Sequence, residues 1–292
     1  MTTPAPNEAD AAIAAGVDNE IFSANQRKPA GTTGLILSAL CVLYTAFHIG
    51  VMNLYPLETW TYRLIHVGGG LVIGFLLFSS LTFTEVDGEN RRRRDLLILP
   101  GVGLILVALV QVLLPWFGLA PSLDQAANAL AWRWTFGVPL ALGTVWILLV
   151  GWFMPDARRA HIDLADIALA LAAIATTLYI IHHAPFLRLR AGTALAKEAD
   201  MWAALIGVVL ILELTRRMAG MALVIIASIF VLYSFVGPWL PGILYHKGYS
   251  LTRFFTYIFT DQGILGPTTA ISSTDNILFV GFGAFQHPSR VG

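Results

Sequence analysis

Long apolar runs recur along this chain, and their length is the feature that most limits what it can fold into. The first run, Thr33–Met52, reads TGLILSALCVLYTAFHIGVM and contains no charged residue. At ~1.5 Å per residue, a helix of about 20 residues covers the ~30 Å hydrocarbon core of a bilayer. Similar runs follow at Leu64–Phe83, Leu96–Phe117, Trp134–Phe153, Ile162–His182 and Gly220–Val236.

Composition agrees with this pattern. The chain is 57% hydrophobic and 12% charged, whereas soluble domains carry about 25% charged residues. Such a chain has too few charges to solvate a globular surface. The sequence therefore predicts an all-α fold, a polytopic transmembrane helical bundle.

One apolar segment, Trp202–Leu212, is short for a span. Its 11 residues give roughly 17 Å of helix before the first charged side chain, Glu213. The segment either crosses the membrane with Lys197 and Arg216 snorkelling to the interface, or lies along the interface and runs through Gly220 as one bent helix. The whole chain is predicted to have about seven spans plus an incomplete re-entrant segment.

Basic residues predict the orientation. With every segment spanning and the N-terminus inside, cytoplasmic loops hold ten of the 18 Lys and Arg, and the opposite loops hold six. The ten are Arg27, Lys28, Arg91, Arg92, Arg93, Arg94, Arg158, Arg159, Arg216 and Arg217; the six are Arg63, Arg133, Arg188, Arg190, Lys197 and Lys247. This excess favours a cytoplasmic N-terminus, although Arg188, Arg190 and Lys197 lie against the trend. Residues 1–30 lack the features of a secretory signal and are predicted to form a disordered or weakly helical cytoplasmic tail.

Charged residues beside the spans have simple interpretations. Arg91–Arg94, in a predicted loop Glu85–Asp95, are typical of a cytoplasmic topology anchor, and a lipid-headgroup site is the alternative. Asp163 and Asp166 lie in the first turn of the fifth span, where carboxylates meet the positive end of the helix dipole. The glycines of the second span, Gly68–Gly70 and Gly74, predict close packing between helices.

Several function classes have no basis in the sequence. The net charge is zero at pH 7, so no nucleic-acid partner is expected, and the single cysteine, Cys41, excludes an internal disulfide and is assigned to packing. Phosphate-loop, zinc-protease and hydrolase-elbow motifs are missing, so we expect neither an enzyme nor a cofactor. His182 and His183 end a span, where imidazoles meet headgroups and water, and a second cluster to complete a metal site is lacking.

Two polar features remain near the membrane. Glu213 has Arg216 and Arg217 at i+3 and i+4, which predicts local ion pairs. The second feature follows Gly266-Pro267, where helix is interrupted and hydroxyl and carboxamide oxygens are concentrated. Interrupted helices whose carbonyls face a cavity hold ions and substrates in secondary transporters. The candidate ion or substrate path therefore comprises Thr268, Thr269, Ser272, Ser273, Thr274, Asp275 and Asn276.

The stretch from Gly220 to Ala284 contains an ordered series of short motifs. The apolar run breaks after Val236, and Ser250 is a plausible N-cap of the next helix. The motifs are Gly237-Pro238, Leu240-Pro241-Gly242, His246-Lys247-Gly248-Tyr249-Ser250, Gly263-Ile264-Leu265-Gly266 and Phe282-Gly283-Ala284-Phe285, with a second patch from Arg63-Leu64-Ile65-His66 to Gly74-Phe75-Leu76-Leu77-Phe78. Their order resembles the fused permeases of the tripartite ATP-independent periplasmic (TRAP) transporters, in the class that pairs with TAXI-type binding proteins.

The resemblance implies a division of the chain and a set of partners. Residues 31–219 correspond to a small-subunit-like membrane scaffold, and residues 220–292 to the start of a large-subunit-like transport domain that is truncated here. A periplasmic binding protein of the TAXI type would deliver an organic anion, and a sodium or proton gradient would drive uptake. The expected partners are this binding protein, the remainder of the large permease subunit and membrane lipid, and the expected location is the bacterial cell inner membrane.

The C-terminal end departs from the family pattern, because Pro288 interrupts what should continue as a helix. We therefore expect this chain to be incomplete by itself. It would be either the product of a truncated reading frame or a half-permease that another chain completes. A membrane enzyme or cofactor-binding helical bundle is the alternative function. A seven-helix receptor is a third, and it would need a ligand pocket formed by this chain alone.

Overall fold

The computed structural model describes residues 25–83, 88–119, 131–154 and 160–289. Within these ranges the regular structure is helical, apart from an isolated β-bridge between Gln26 and Phe78. The predicted all-α fold is confirmed. The helices are α1 (Gly31–Asn53), α2 (Thr59–Leu77), α3 (Gly88–Trp116), α4 (Val138–Phe153), α5 (Leu164–Arg190), α6 (Glu198–Ala219), α7 (Met221–Val236), α8 (Leu251–Ile258), α9 (Pro267–Ile271) and α10 (Ile277–Ser289).

Six helical segments in the described ranges are long and apolar enough to cross a membrane. Each one overlaps an apolar run predicted from the sequence, so the structure supports a chain that crosses a membrane several times. The helix α6 is not among them, because it carries several charged side chains. The six are Gly31–Asn53, Thr59–Leu77, Asn90–Trp116, Arg133–Phe153, Leu164–Arg190 and Met221–Trp239.

The helix α5 lies at the centre of the bundle, in contact with α2, α3, α4 and α6. Its buried surface is rich in alanine, which has a small side chain and the highest helix propensity. Because lipid tails are as apolar as leucine, helices associate in a membrane mainly through close packing, and small residues let the backbones approach. The buried alanines of α5 are Ala165, Ala168, Ala170, Ala172, Ala173, Ala175 and Ala184.

Glycines of α2 allow two of these close approaches, as the sequence predicts. A Cβ atom added at Gly68 would overlap the side chain of Thr177 on α5. One added at Gly74 would lie 2.6 Å from Leu214 Cδ2 on α6. By contrast, Gly70 has room, since the nearest atom to an added Cβ is a tyrosine hydroxyl 3.8 Å away.

We expect Gly68→Ala to destabilise the protein and Gly70→Ala to leave it unchanged or slightly more stable. The added methyl group at position 68 meets a β-branched side chain that cannot move aside, and overpacking of this kind typically costs about 1–3 kcal/mol. Thermal unfolding of the purified variants in detergent measures the difference. Equal melting temperatures for the two variants would contradict the packing assignment.

The helix α6 runs antiparallel to α5 along its whole length. At one end Arg217 Nη1 lies 2.6 Å from Asp166 Oδ1, and at the other end Arg190 Nε lies 2.6 Å from Asp200 Oδ2. The helix ends at Ala219, and Gly220 follows with a φ of 86°, a left-handed conformation that glycine adopts without steric cost. The bent continuous helix considered from the sequence is therefore not formed, because α6 and α7 are separate helices.

The break after α7 occurs where the sequence predicts it. The helix ends at Val236 and short 3₁₀ turns follow. His246 folds back on this break, with Nε2 at 2.9 Å from the Tyr233 carbonyl oxygen and its backbone N–H donating to the Gly237 carbonyl at 3.3 Å. Any side chain at Gly237 would overlap the imidazole ring. The motif Gly-Pro…His therefore holds a tight reversal in place.

The next helix, α8, begins at the predicted cap. The Ser250 hydroxyl accepts a hydrogen bond from the Arg253 N–H at 3.3 Å, and the helix packs against α6. The Phe259 ring that follows α8 lies so close to Gly207 of α6 that an added Cβ there would be 2.6 Å from it. This contact attaches the segment after α7 to the central bundle.

Two sequence predictions need correction at the level of local structure. Arg91–Arg94 belong to the first turns of α3 and not to a loop, because the helix begins at Gly88. At the other end of the chain, α10 continues through Pro288 to Ser289, so this proline does not end the helix. Arg158 and Arg159 of the topology count lie outside the described residues.

Candidate functional site

The predicted path segment forms an interrupted helix, which we define as α9, the π-helical turn Ser272–Asn276 and α10. Pro267 occupies the first turn of α9, where its missing N–H costs nothing. A π-helical turn inside a helix marks a local irregularity that is frequent at functional sites. The interruption lies against α1 and α2, and the turn itself packs against α1.

The structure brings only part of the predicted constellation together. Ser272 and Asn276 line a cavity of about 700 Å³ between α1, α2 and the interrupted helix. Thr269, Ser273 and Thr274 donate their hydroxyl hydrogens to carbonyls of the same segment, at Ile264 and Ala270. The remaining two, Thr268 and Asp275, are exposed.

Carbonyl oxygens freed near the interruption bond to α2. The Tyr62 hydroxyl donates to the Ser273 carbonyl in a buried hydrogen bond, and Arg63 Nη1 donates to the Leu265 carbonyl at 2.6 Å. Unpaired carbonyls are costly in a bilayer, so these two side chains stabilise the interruption and hold it on α2.

A pair of histidines, His48 of α1 and His66 of α2, connects this cavity to the bundle. His48 Nε2 lies 2.9 Å from His66 Nδ1, and His66 Nε2 lies 3.0 Å from Ser272 Oγ. The Tyr44 hydroxyl donates to the His66 carbonyl at 2.8 Å and lies 2.9 Å from His66 Nδ1. His48 is fully buried, while His66 lines the cavity.

This pair was not predicted from the sequence, although the chain carries a signal for it. Tyrosine stands four residues before histidine in both helices, as Tyr44…His48 and Tyr62…His66. Residues i and i+4 lie on one helix face, so each helix presents a tyrosine and a histidine to the same neighbour. The pattern occurs again at Tyr179…His183, where His183 Nδ1 bonds the Tyr179 carbonyl at 2.9 Å.

Hydrogen-bond chemistry assigns the tautomers of the histidine pair. A carbonyl oxygen only accepts, so the 2.7 Å bond between His48 Nδ1 and the Tyr44 carbonyl requires a hydrogen on Nδ1. In neutral His48, Nε2 is then an acceptor, and His66 Nδ1 supplies the hydrogen between the rings. His66 Nε2 in turn accepts from the Ser272 hydroxyl. When both rings are neutral, the hydrogen bonds therefore all run in one direction, from the Ser272 hydroxyl through His66 and His48 to the Tyr44 carbonyl.

Glu213 belongs to a different polar site, the Asp166 cluster, at the end of the bundle where α6 finishes. Its carboxylate accepts from Arg216 at 2.8 Å and from Arg217 at 2.7 Å, so the predicted local ion pairs are confirmed. Trp152 Nε1 also donates to it at 3.0 Å. The cluster comprises Arg27, Arg94, Asp163, Asp166, Glu213, Arg216 and Arg217.

Asp163 and Asp166 do more than meet the helix dipole. Asp163 caps α5 through the Ala165 N–H at 3.2 Å and accepts two bonds of 2.7 Å from Arg94. Asp166 lies between two guanidinium groups, those of Arg27 and Arg217, each at 2.6 Å. All of these side chains are buried.

The predicted tail, residues 1–30, needs a correction because its last part is folded onto the bundle. The Asn25 side chain donates to the Ser79 and Arg217 carbonyls at 3.1 and 2.9 Å, and the Arg27 N–H donates to the Leu77 carbonyl at 2.8 Å. Arg27 is only 2% exposed, so this residue of the basic-residue count is buried in the bundle, where it forms an ion pair with Asp166. Residues 1–24 lie outside the described residues.

We expect Asp166→Asn to destabilise the protein strongly, because it leaves two buried guanidinium groups without their shared carboxylate. Removing one partner of a buried ion pair typically costs about 3–5 kcal/mol. The matched control is Glu198→Gln, whose partner Arg133 forms an exposed pair and whose loss should change little. Thermal unfolding of both purified variants in detergent measures the difference in stability. Equal stabilities would contradict a structural role for the cluster.

The end of α5 differs from its prediction. The helix continues through Pro185 to Arg190, so His182 and His183 do not end it. His182 is exposed, whereas His183 is buried beside Tyr179. Within the described part of the chain, no group of three or more His, Cys, Asp or Glu is arranged to hold a metal ion.

Comparison of the chain with models of protein families, with curated proteins and with solved structures found no match. The resemblance to TRAP permeases therefore stays a prediction from the motifs.

Proposed function

We propose that this chain is the membrane scaffold component of a TRAP-type secondary transporter for organic anion uptake. The observation that supports the proposal most directly is the interrupted helix held on α1 and α2 beside a cavity. Secondary transporters use such interruptions to present backbone and side-chain oxygens to an ion or substrate within the membrane. In this proposal residues 31–219 hold the moving transport domain, which begins after Gly220.

The proposal includes α6 as a seventh span. Ion pairs at both ends attach it to α5 over the length of that helix, and its 22 residues correspond to about 33 Å at ~1.5 Å per residue. Its charged residues concentrate near the helix ends, where the interface is within reach. A span of α6 also returns the chain to the side on which the Asp166 cluster lies.

Orientation follows from the same cluster. Its arginines and the exposed Arg91, Arg92 and Arg93 lie at one end of the bundle, which we assign to the cytoplasm of a bacterial inner membrane by the positive-inside rule. The histidine pair and the reversal after α7 are then nearer the periplasmic side. This is the side from which a TAXI-type binding protein would deliver its ligand.

Membrane lipid is a partner in this arrangement. The helices α1 and α7 expose large apolar side chains, including Leu35 at 72%, Leu43 at 66% and Phe230 at 67%. In a bilayer this surface is covered by acyl chains. Sodium or proton would serve as the coupling ion.

Cysteine labelling tests the orientation. In a Cys41→Ala background, which removes the single native cysteine, we expect Lys247→Cys to react with a membrane-impermeant maleimide in intact cells. We expect Arg92→Cys to react only after the membrane is opened. Both native side chains are exposed, so access to the reagent depends on the side of the membrane, and the reversed pattern would contradict the assignment.

Uptake by proteoliposomes tests the function. We expect no accumulation of labelled organic anions by this chain alone, and accumulation after reconstitution with a large subunit and a binding protein encoded beside it in the genome. Transport by the chain alone would contradict the scaffold role. Neighbouring reading frames that encode neither partner would contradict the TRAP assignment.

A further inference from the structure

The histidine pair has the geometry of a site for a single mobile proton. We infer that His48 and His66 together bind one proton taken from the cavity, and that the proton is the ion to which the interrupted helix responds. The inference names the coupling ion of the proposed function, so its role in transport rests on that function. Proton binding itself does not.

The cavity provides a route to the pair. His66 and Ser272 both line it, whereas His48 is fully buried behind them. When both histidines are neutral, His66 Nε2 is the acceptor that faces the cavity. A proton that arrives from water is therefore taken up at this nitrogen, and the new N–H donates to Ser272 Oγ, which must turn its own hydrogen elsewhere.

The bound proton is shared within the pair. Its arrival gives His66 two N–H groups, and the hydrogen on Nδ1 then moves across the 2.9 Å bond to His48 Nε2. The charge passes to His48, which keeps its Nδ1 hydrogen on the Tyr44 carbonyl, and His66 becomes neutral with its hydrogen on Nε2. Each step conserves hydrogen and charge, and both forms hold one extra proton.

A second proton does not fit. With both rings charged, His48 Nε2 and His66 Nδ1 would each carry a hydrogen and would face one another at 2.9 Å with no acceptor between them. Two like charges at this distance repel strongly in a low-dielectric site. The capacity of the pair is therefore one proton, and the two rings titrate as one unit.

Neighbouring groups leave the pair as the main proton acceptor of this cavity. None of the described residues that line the cavity is Asp, Glu, Lys or Arg. Among the side chains that the structure describes, the other titratable groups on the packed helices include Cys41 and Tyr44 of α1 and Tyr62 of α2. Arg63 of α2 is engaged with the Leu265 carbonyl, and Asp275 of the interrupted helix is exposed.

Ser272 makes the site a link between two parts of the chain. The hydroxyl donates to the pair in the neutral state and accepts from it in the protonated state. The π-helical turn that carries Ser272 therefore meets a different hydrogen-bond pattern in each state. A change of proton occupancy thus acts on the interrupted helix directly.

Nitrogen NMR of the unmodified protein tests the site. In ¹⁵N-histidine-labelled protein in lipid nanodiscs we expect both rings to be neutral Nδ1–H tautomers at high pH, and to respond together with one midpoint on acidification. His48→Gln and His66→Gln assign the signals, and His182→Gln, on an exposed side chain of α5, is the control that leaves the pair unchanged. An Nε2–H tautomer of His48 at high pH, or no titration of the pair between about pH 4 and 9, would overturn the inference.

Proton counting gives an independent measurement. We expect the His48→Gln, His66→Gln double variant to take up one proton fewer per chain than the unmodified protein on acidification. A difference of two protons, or of none, would overturn the one-proton site. If the double variant does not fold, the NMR titration of the unmodified protein still decides.

The coupling role is tested in the assembled permease of the preceding subsection. An imposed pH gradient should drive uptake by the unmodified complex and fail to drive it in the double variant. Uptake that does not depend on the pH gradient, by a complex whose histidine pair still binds one proton, would overturn the coupling role. Absence of any uptake would contradict the proposed function, while the proton count decides the site separately.

Discussion

The carboxylate of Asp166 is the contact on which the arrangement of the bundle depends. It accepts from Arg27 and Arg217 at 2.6 Å each, and thereby joins the segment before α1, the start of α5 and the end of α6. Charges removed from water are tolerated only when every one is paired and hydrogen-bonded. This requirement determines where three distant parts of the chain meet, and it aligns α6 with α5 although five of the 22 residues of α6 are charged.

The interrupted helix depends on the same frame. Because α5 positions α2 through the close approach at Gly68, the polar face of α2 is directed at α1 and at the turn Ser272–Asn276. Tyr62 and Arg63 then satisfy the carbonyls that the interruption frees. The irregular backbone is thus stabilised by side chains of α2, and the histidine pair lies where α1 and α2 meet the interrupted helix.

Helix positions followed from the sequence because a bilayer demands about 20 apolar residues for each span. The break after Val236 followed from the backbone properties of glycine and proline. Whether an individual charged side chain is exposed or buried in an ion pair was harder to predict. Arg27 was assigned to a tail and Arg94 to an exposed loop, since a count of basic residues treats them all as solvent-facing and their acidic partners lie 139 and 69 residues away.

The sequence by itself determined the helical membrane class, the break after Val236 and the location of the interruption, because these depend on local composition and backbone stereochemistry. The tertiary structure alone decided which polar groups meet. Of the seven residues predicted for the path, it placed Ser272 and Asn276 at the cavity and added a histidine pair from two other helices. Contacts between helices depend on rotation and register, and these are set by packing at small residues distant in the chain.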